Sequence, residues 1–199
     1  HLAAPGPLDR VWSVNAGAGS GRVAQLTASP IVAGGRVFVL DAEATVHSFD
    51  AKTGKRIWET ELVPEGEDAD EGRGGGIAFD DGKIFVVTGF GTAHGLDALS
   101  GAVVWTQTIG DPFRAAPTAN GGRVFAITAD NQSIAFAQET CEVLWRHRGI
   151  VESAGILSSP SPAVAGSVVI APYSSGELVA LRVANGTAVW SDSLTRTGT

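Results

Sequence analysis

Five tryptophans recur along this chain at nearly constant intervals. Successive tryptophans are separated by 46, 47, 40 and 45 residues. A repeat of this length with one aromatic marker per unit is typical of β-propeller blades, which are built from four short strands. We expect the tryptophans to pack between neighbouring blades and not to hold a cofactor. They are Trp12, Trp58, Trp105, Trp145 and Trp190.

Turn residues keep a constant register to the last four tryptophans. A Gly or Ser stands 23 residues before each of them, and a Gly or Cys stands four residues before. Glycine permits the positive φ of tight hairpin turns at no steric cost. We expect the one cysteine to be an exposed turn residue. The first column holds Gly35, Gly82, Gly122 and Ser167, and the second holds Gly54, Gly101, Cys141 and Gly186.

Each unit predicts four antiparallel strands. In the first unit these are Ser29–Ala33, Arg36–Asp41, Thr45–Asp50 and Lys55–Leu62. No stretch has the periodicity of an amphipathic helix. We predict an all-β protein, a β-propeller built of four-stranded antiparallel blades, with about four blades in one domain. The blades are 27–62, 74–110, 114–149 and 158–194, and residues 1–26 form an N-terminal segment with a lone strand at Arg10–Val14.

Composition narrows the classes of function. The net charge is −7, and nucleic-acid binding normally needs a basic face, so no nucleic-acid partner is expected. No run of about 18 apolar residues predicts a membrane-spanning segment. The chain contains no methionine, so we expect a processed or trimmed piece from which any signal peptide has been removed. A single cysteine cannot form an internal disulfide.

The units differ in length only between each tryptophan and the first strand of the next unit. These connections share one face with the loops between second and third strands, and variable loops on a rigid scaffold usually carry binding. We therefore place the partner surface on this face. This face carries an acidic run at 61–73. Two interpretations of the run stay open, namely a binding site for a basic partner or a cation, and a solvated loop. Candidate contacts, chosen from loop position, are Arg114, Arg146, His147, Arg148, Tyr173, Leu194 and Arg196.

Motifs that carry catalytic or metal chemistry are missing from the sequence. His47 and His94 share a column eleven residues before the tryptophan, but Ile134 and Val179 stand there in the later units. No column of carboxylates completes a metal site. The sequence also lacks a Gly-x-Ser-x-Gly nucleophile motif and a phosphate-binding loop. We predict no catalytic, cofactor-binding or metal-binding residues.

The octet at 51–58, Ala-Lys-Thr-Gly-Lys-Arg-Ile-Trp, resembles the repeat of pyrroloquinoline-quinone-type propellers. Quinone-dependent dehydrogenases share this repeat, and their quinone commonly lies against a vicinal disulfide with a calcium ion and a catalytic Asp. One cysteine cannot make a vicinal disulfide. Residues 29–38, and 151–157 through 173–178, are more similar to the BamB family of outer-membrane assembly lipoproteins, which keeps the propeller and lacks the enzyme.

That resemblance implies a non-enzymatic periplasmic scaffold, peripheral to the outer membrane, whose lipid anchor lies outside this chain. It also implies binding to a BamA-like assembly protein and to nascent β-barrel proteins. The family's ring has eight blades, so four blades predict an open half-ring, and its two bare faces predict self-association. Two alternatives stay open, namely a fragment of a quinoprotein dehydrogenase and a propeller that holds a small ligand in its central channel.

Overall fold

The computed structural model describes residues 9–21, 26–150 and 160–193. In these residues the chain forms four sheets, each of four antiparallel strands, which confirms the predicted all-β propeller fold with about four blades. None of the described residues belongs to a helix long and apolar enough to cross a membrane. The strands are β1 Ile31–Ala33, β2 Arg36–Leu40, β3 Thr45–Asp50 and β4 Arg56–Glu61 in blade 1; β5 Gly75–Asp80, β6 Lys83–Thr88, β7 Thr92–Asp97 and β8 Val103–Thr108 in blade 2; β9 Thr118–Asn120, β10 Arg123–Ile127, β11 Gln132–Ala137 and β12 Val143–Arg148 in blade 3; β13 Ala163–Ala165, β14 Val168–Pro172, β15 Glu177–Arg182 and β16 Ala188–Ser193 in blade 4.

The central strands of the inner blades 2 and 3 are apolar on both faces because these blades pack between two neighbours. In β10, Val124 and Ala126 belong to the core shared with blade 2, whereas Phe125 and Ile127 belong to the core shared with blade 4. Successive side chains of a strand point to opposite faces of the sheet, so a continuous apolar run supplies both cores. The hydrophobic core of the described chain therefore lies between the blades.

A β-bulge recurs at the same point of every blade, between the third and fourth strands. In blade 1, Ser48 pairs with Trp58 and Phe49 pairs with Arg56, so Ile57 is the extra residue. Equivalent shifts occur in the other three blades. A bulge of this kind twists the outer strand locally and redirects the next side chain. It places the rings of Trp58, Trp105 and Trp145 towards the following blade.

The tryptophans join the blades through one repeated contact. The indole N–H groups of Trp58, Trp105 and Trp145 donate to backbone carbonyls of the next blade at 3.2, 2.8 and 2.9 Å. The turn glycine beneath each ring has positive φ and no side chain to obstruct the ring. Blade 3 departs from this pattern, because Cys141 adopts a φ of 57°. The expectation of an exposed cysteine is wrong, since Cys141 is half-buried and packs against the core between blades 2 and 3.

The N-terminal segment covers the free side of blade 1. No strand forms at Arg10–Val14, so the predicted lone strand is wrong. The ring of Trp12 nevertheless lies over Gly54, and its indole donates to the Ala51 carbonyl at 3.0 Å. This contact repeats the one that joins consecutive blades. Trp12 therefore occupies the position of a tryptophan from a preceding blade.

The far side of blade 4 has no such cover in the described chain. Trp190 is 47% exposed, whereas Trp145 is 7% exposed. Every residue of β16 is exposed. Since Trp12 already fills the receiving turn of blade 1, the described residues offer Trp190 no equivalent turn on which to pack.

Candidate partner-binding face

One face of the blades, which we call the connection face, carries the loops between second and third strands and the connections between blades. Antiparallel strands alternate in direction, so these two kinds of loop must share a side. The loops are 41–44, 89–91, 128–131 and 173–176, and the described connections are 62–74 and 109–117. The opposite side carries the tight turns between first and second strands and between third and fourth strands, and we call it the turn face.

Two arginines at the end of β12 form a cationic edge of the connection face. Arg146 is exposed and donates to Gln132 Oε1 at 2.6 Å. Arg148 is exposed and lies 3.4 Å from the Asp130 carboxylate. Residues two apart on a strand point to the same side, so both guanidinium groups project together. The structure thus brings these two predicted contacts into one surface.

His147 and Tyr173 do not join that cationic edge. His147 lies between the two arginines in sequence and so projects to the other side of β12, where it pairs with Ser133 across the sheet. Tyr173 is 5% exposed, so its prediction as a surface contact is wrong. Its hydroxyl lies 2.7 Å from Ser133 Oγ, and its ring covers Gly149. Burial raises the pKa of Tyr173 to about 12.

Asn131 fixes the connection face where blades 3 and 4 meet, and sequence reasoning did not single it out. Its side-chain oxygen accepts from the backbone N–H and the hydroxyl of Ser174, and its amide donates to the Ile150 carbonyl at 2.7 Å. It is 3% exposed, with a φ of 62°. Asparagine is among the few residues that tolerate this conformation. The sequence signal that could have identified this residue is an asparagine in the predicted turn between the second and third strands of blade 3.

Arg114 lies apart from the cationic edge, in the connection between blades 2 and 3. It lines a central cavity of about 310 Å³ to which all four blades or their connections contribute. Its neighbours in this cavity include the polar residues Thr27, Ser29 and Ser161 and the apolar residues Ile31 and Ile77. Arg114 therefore faces the channel of the propeller. The remaining predicted contacts, Leu194 and Arg196, lie outside the described residues.

The two histidines of the shared column are core residues with separate hydrogen-bond partners. His47 Nε2 lies 3.1 Å from Asp41 Oδ2, and Nδ1 lies 3.5 Å from Glu59. Burial opposes ionisation of Asp41, but hydrogen bonds from Thr45, Ala18 and His47 outweigh it and lower the pKa of its carboxyl group. The pair anchors the N-terminal segment, because the Ala18 N–H also donates to Asp41 at 3.0 Å.

His94 occupies the equivalent buried position in blade 2. Its Nδ1 lies 3.0 Å from Thr106 Oγ1, and its Nε2 lies 2.8 Å from Thr92 Oγ1. Burial lowers the pKa of His94 to about 4. Within residues 9–21, 26–150 and 160–193, no group of three or more His, Cys, Asp or Glu side chains is placed to hold a metal ion.

The acidic run of the first blade connection is solvent-exposed. Its backbone forms two turns, with Glu67 N–H donating to Pro64 and Glu71 N–H donating to Asp68. All of its acidic side chains between 61 and 71 are exposed. Exposed like charges with no buried polar partner behave as a solvated loop.

Comparison with known proteins places this architecture in a family. The sequence model of the outer membrane protein assembly factor BamB matches residues 9–73 and 42–199. The chain belongs to the BamB family. BamB of Burkholderia pseudomallei is 29% identical over 184 residues, which are 92% of this chain and 45% of that protein. An uncharacterized protein of Rickettsia prowazekii is 31% identical over 172 residues, which are 86% of this chain and 41% of that protein. This BamB-family chain therefore spans less than half the length of these curated relatives.

Solved structures show the same fold at low sequence identity. The crystal structure of BamB from Moraxella catarrhalis superposes with a TM-score of 0.74 at 18% identity, over 87% of this chain and 51% of that one. Quinohemoprotein alcohol dehydrogenase from Comamonas testosteroni gives a TM-score of 0.70 at 21% identity, over 87% of this chain and 35% of that one. Likeness at this identity concerns the fold alone, which BamB and the quinoproteins share.

The described residues do not fit a quinone centre of the dehydrogenase type. Such a centre, as the resemblance implies it, needs carboxylates around a calcium ion and a vicinal disulfide, and Ca²⁺ binds through oxygen ligands. The described lining of the central cavity contains Arg114 and no carboxylate. The one cysteine, Cys141, lies in a turn between β11 and β12, away from this cavity. The described part of this cavity therefore offers neither the acidic oxygen ligands nor the pair of cysteines of such a centre.

Proposed function

We propose that this BamB-family chain is part of a non-enzymatic scaffold of the outer-membrane β-barrel assembly machinery. In this proposal it binds a BamA-like assembly protein and unfolded barrel proteins in the periplasm, peripheral to the outer membrane. The observation that carries the proposal is the match to the BamB family over both segments of the chain. Because this chain spans under half of its relatives, the partners of the whole protein belong to the proposal as well.

The connection face supports a binding role because it is held rigidly. Asn131 ties the loops of blades 3 and 4 together through Ser174 and Ile150. Tyr173 fills the space below that junction. A preorganised surface loses little conformational entropy when a partner binds. The exposed pair Arg146 and Arg148 gives this surface a cationic edge that fits an acidic patch of a partner.

The proposal is tested by measuring the affinity of the purified chain for a purified BamA-like protein in detergent. The double variant R146E/R148E should weaken binding about tenfold, because reversed charges at an interface edge repel the partner. The matched control is K52E/K55E, which reverses two exposed charges in the β3–β4 turn on the turn face. Equal affinity of both variants and the unaltered chain would overturn the cationic edge as the contact. No binding by any of them would show that the described blades do not suffice for the contact.

A further inference from the structure

A second cavity, which we call the turn-face pocket, lies between blades 1 and 2 on the side opposite the connection face. Its volume is about 380 Å³, at the small end of the roughly 300–1,000 Å³ typical of ligand sites. Both blades that form it are fully described, from β1 to β8. It opens to solvent beside Leu99, which is 70% exposed.

Two small residues create the turn-face pocket. Ala33 and Ala98 face it from β1 and from the β7–β8 turn. At the next junction the equivalent positions, counted from the tryptophans, hold Asp80 and Gln138. Gln138 Nε2 donates to Asp80 Oδ2 at 2.7 Å. Blades 2 and 3 thus carry a side-chain plug where blades 1 and 2 leave space.

Aromatic rings form the inner wall of the pocket. Phe38 and Phe79 lie nearly parallel, with ring centroids 6.3 Å apart and an interplanar angle of 17°. Phe38 is 1% exposed, and Phe79, which is half-buried, covers it on the pocket side. Two rings in this offset arrangement offer a flat apolar surface, against which a further ring can stack or pack edge to face.

Three of the four charged side chains that line the pocket already have partners within the protein, and the fourth, Asp81, is exposed. Arg36 donates to the carbonyls of Ala98 and Leu99 at 3.0 and 2.8 Å. Lys83 forms an ion pair with Glu139 at 2.7 Å. Asp97 accepts from the Ser100 backbone and hydroxyl. Charges engaged in this way favour a neutral ligand, since a charged one would have to displace existing partners.

We propose that the turn-face pocket binds one neutral aromatic ring. The ring is supplied by a free aromatic molecule or by an aromatic side chain of a bound polypeptide, and the two sources share the same contact chemistry. The site is separate from the connection face, so it does not depend on the proposed assembly function.

The test is a nuclear magnetic resonance titration of the isotope-labelled chain with indole. Saturable shifts should appear at the amides around Phe79 and Leu99, with intermolecular nuclear Overhauser effects from indole to the Phe79 ring. The variant A33D/A98Q transplants the plug of the next junction and should weaken indole binding at least about tenfold. The matched control N120D/V183Q places the same pair between blades 3 and 4 and should keep the affinity.

Indole shifts that do not saturate, or that are unchanged by A33D/A98Q, would overturn the proposal. If the variants fail to fold, the nuclear Overhauser effect from indole to the Phe79 ring of the unaltered chain tests the site. The absence of this effect overturns the proposal. N-acetyl-tryptophanamide identifies the source of the ring. Binding equal to that of indole supports a polypeptide side chain, and binding of indole alone supports a free aromatic molecule.

Discussion

The ring of Trp58 lies directly over Gly101 of the following blade, where a Cβ atom would stand 2.6 Å from the ring. Gly101 also has a φ of 76°. Two requirements therefore fall on one residue, since the turn needs a left-handed conformation and the tryptophan needs the space of a missing side chain. The same pair of requirements applies to Gly186 beneath Trp145 and to Gly54 beneath Trp12.

Substitution of Gly101 by alanine should destabilise the chain more than the same change at Gly82. Gly82 has a φ of 74° but nothing within 4 Å of its Cβ position, so G82A costs only the conformational strain of about 1–2 kcal/mol. G101A adds displacement of the Trp58 ring and loss of its packing. Urea unfolding followed by tryptophan fluorescence measures both. Equal free energies of unfolding for G82A and G101A would show that the ring contact contributes nothing.

Stability should fall as the pH is lowered from about 6.5 to about 4 because of His94. Its folded pKa of about 4 lies below the ordinary histidine value of 6.5, so the unfolded chain binds a proton in this range and the folded chain does not. No stability is lost through His94 above pH 6.5, and the loss reaches about 3 kcal/mol at pH 4. Substitution H94I, which copies the residue of blade 3, should flatten this part of the stability curve. If the dependence of stability on pH is unchanged in H94I, a group other than His94 causes the loss of stability at low pH.

The phenol of Tyr173 should titrate near pH 12 in the folded chain. Tyr173 is the only tyrosine, so phenolate absorbance reports on it alone. Its folded pKa is raised above the ordinary tyrosine value of 10.0, so stability is lost as the pH rises above 10, where the unfolded chain releases the proton first. Y173F should remove this alkaline loss and cost about 1 kcal/mol at neutral pH through its hydrogen bond to Ser133. A midpoint at pH 10 would contradict the burial of the ring.

The uncovered side of blade 4 should make this chain self-associate. Trp190 is 47% exposed, whereas the equivalent Trp105 and Trp145 of the inner blades are buried between sheets. Exposed apolar patches of this kind mark interaction surfaces. Sedimentation should give a mass that rises with concentration, and the variant W190S should lower it. The mass of a monomer at every concentration would contradict this expectation.

The repeat itself carried most of the information on the fold. A tryptophan, a turn glycine and a period of 40–47 residues specify local pairings that every blade repeats, so the strands followed from spacing alone. The prediction at Arg10–Val14 was wrong because a strand needs a paired neighbour. The position of Trp12 in the tryptophan series agrees with its contact on blade 1. That series does not provide a strand with which Arg10–Val14 could pair. Cys141 differs from the turn glycines because it has a positive φ and yet packs its side chain against the core that contains Trp105.

The candidate face was harder to predict, since loop position does not determine burial. Arg146 and Arg148 alternate with His147 along β12. The alternation of side chains along a strand was enough to predict that His147 points away from the two arginines. Tyr173 follows a proline at a loop, yet it is drawn into the core by the space over Gly149 and by the Ser133 hydroxyl. Such long-range complementarity has no local signature. The turn-face pocket depends in the same way on two alanines 65 positions apart.

The most direct test of the scaffold account is co-purification from detergent-solubilised cell envelopes with the full-length parent protein as bait. This chain serves as a parallel bait and reports whether the described blades suffice for the contact. The account predicts that the parent retrieves a BamA-like outer-membrane protein. Failure to retrieve any such protein, together with quinone and calcium uptake and alcohol-dependent dye reduction by the parent, would contradict the scaffold and favour a dehydrogenase.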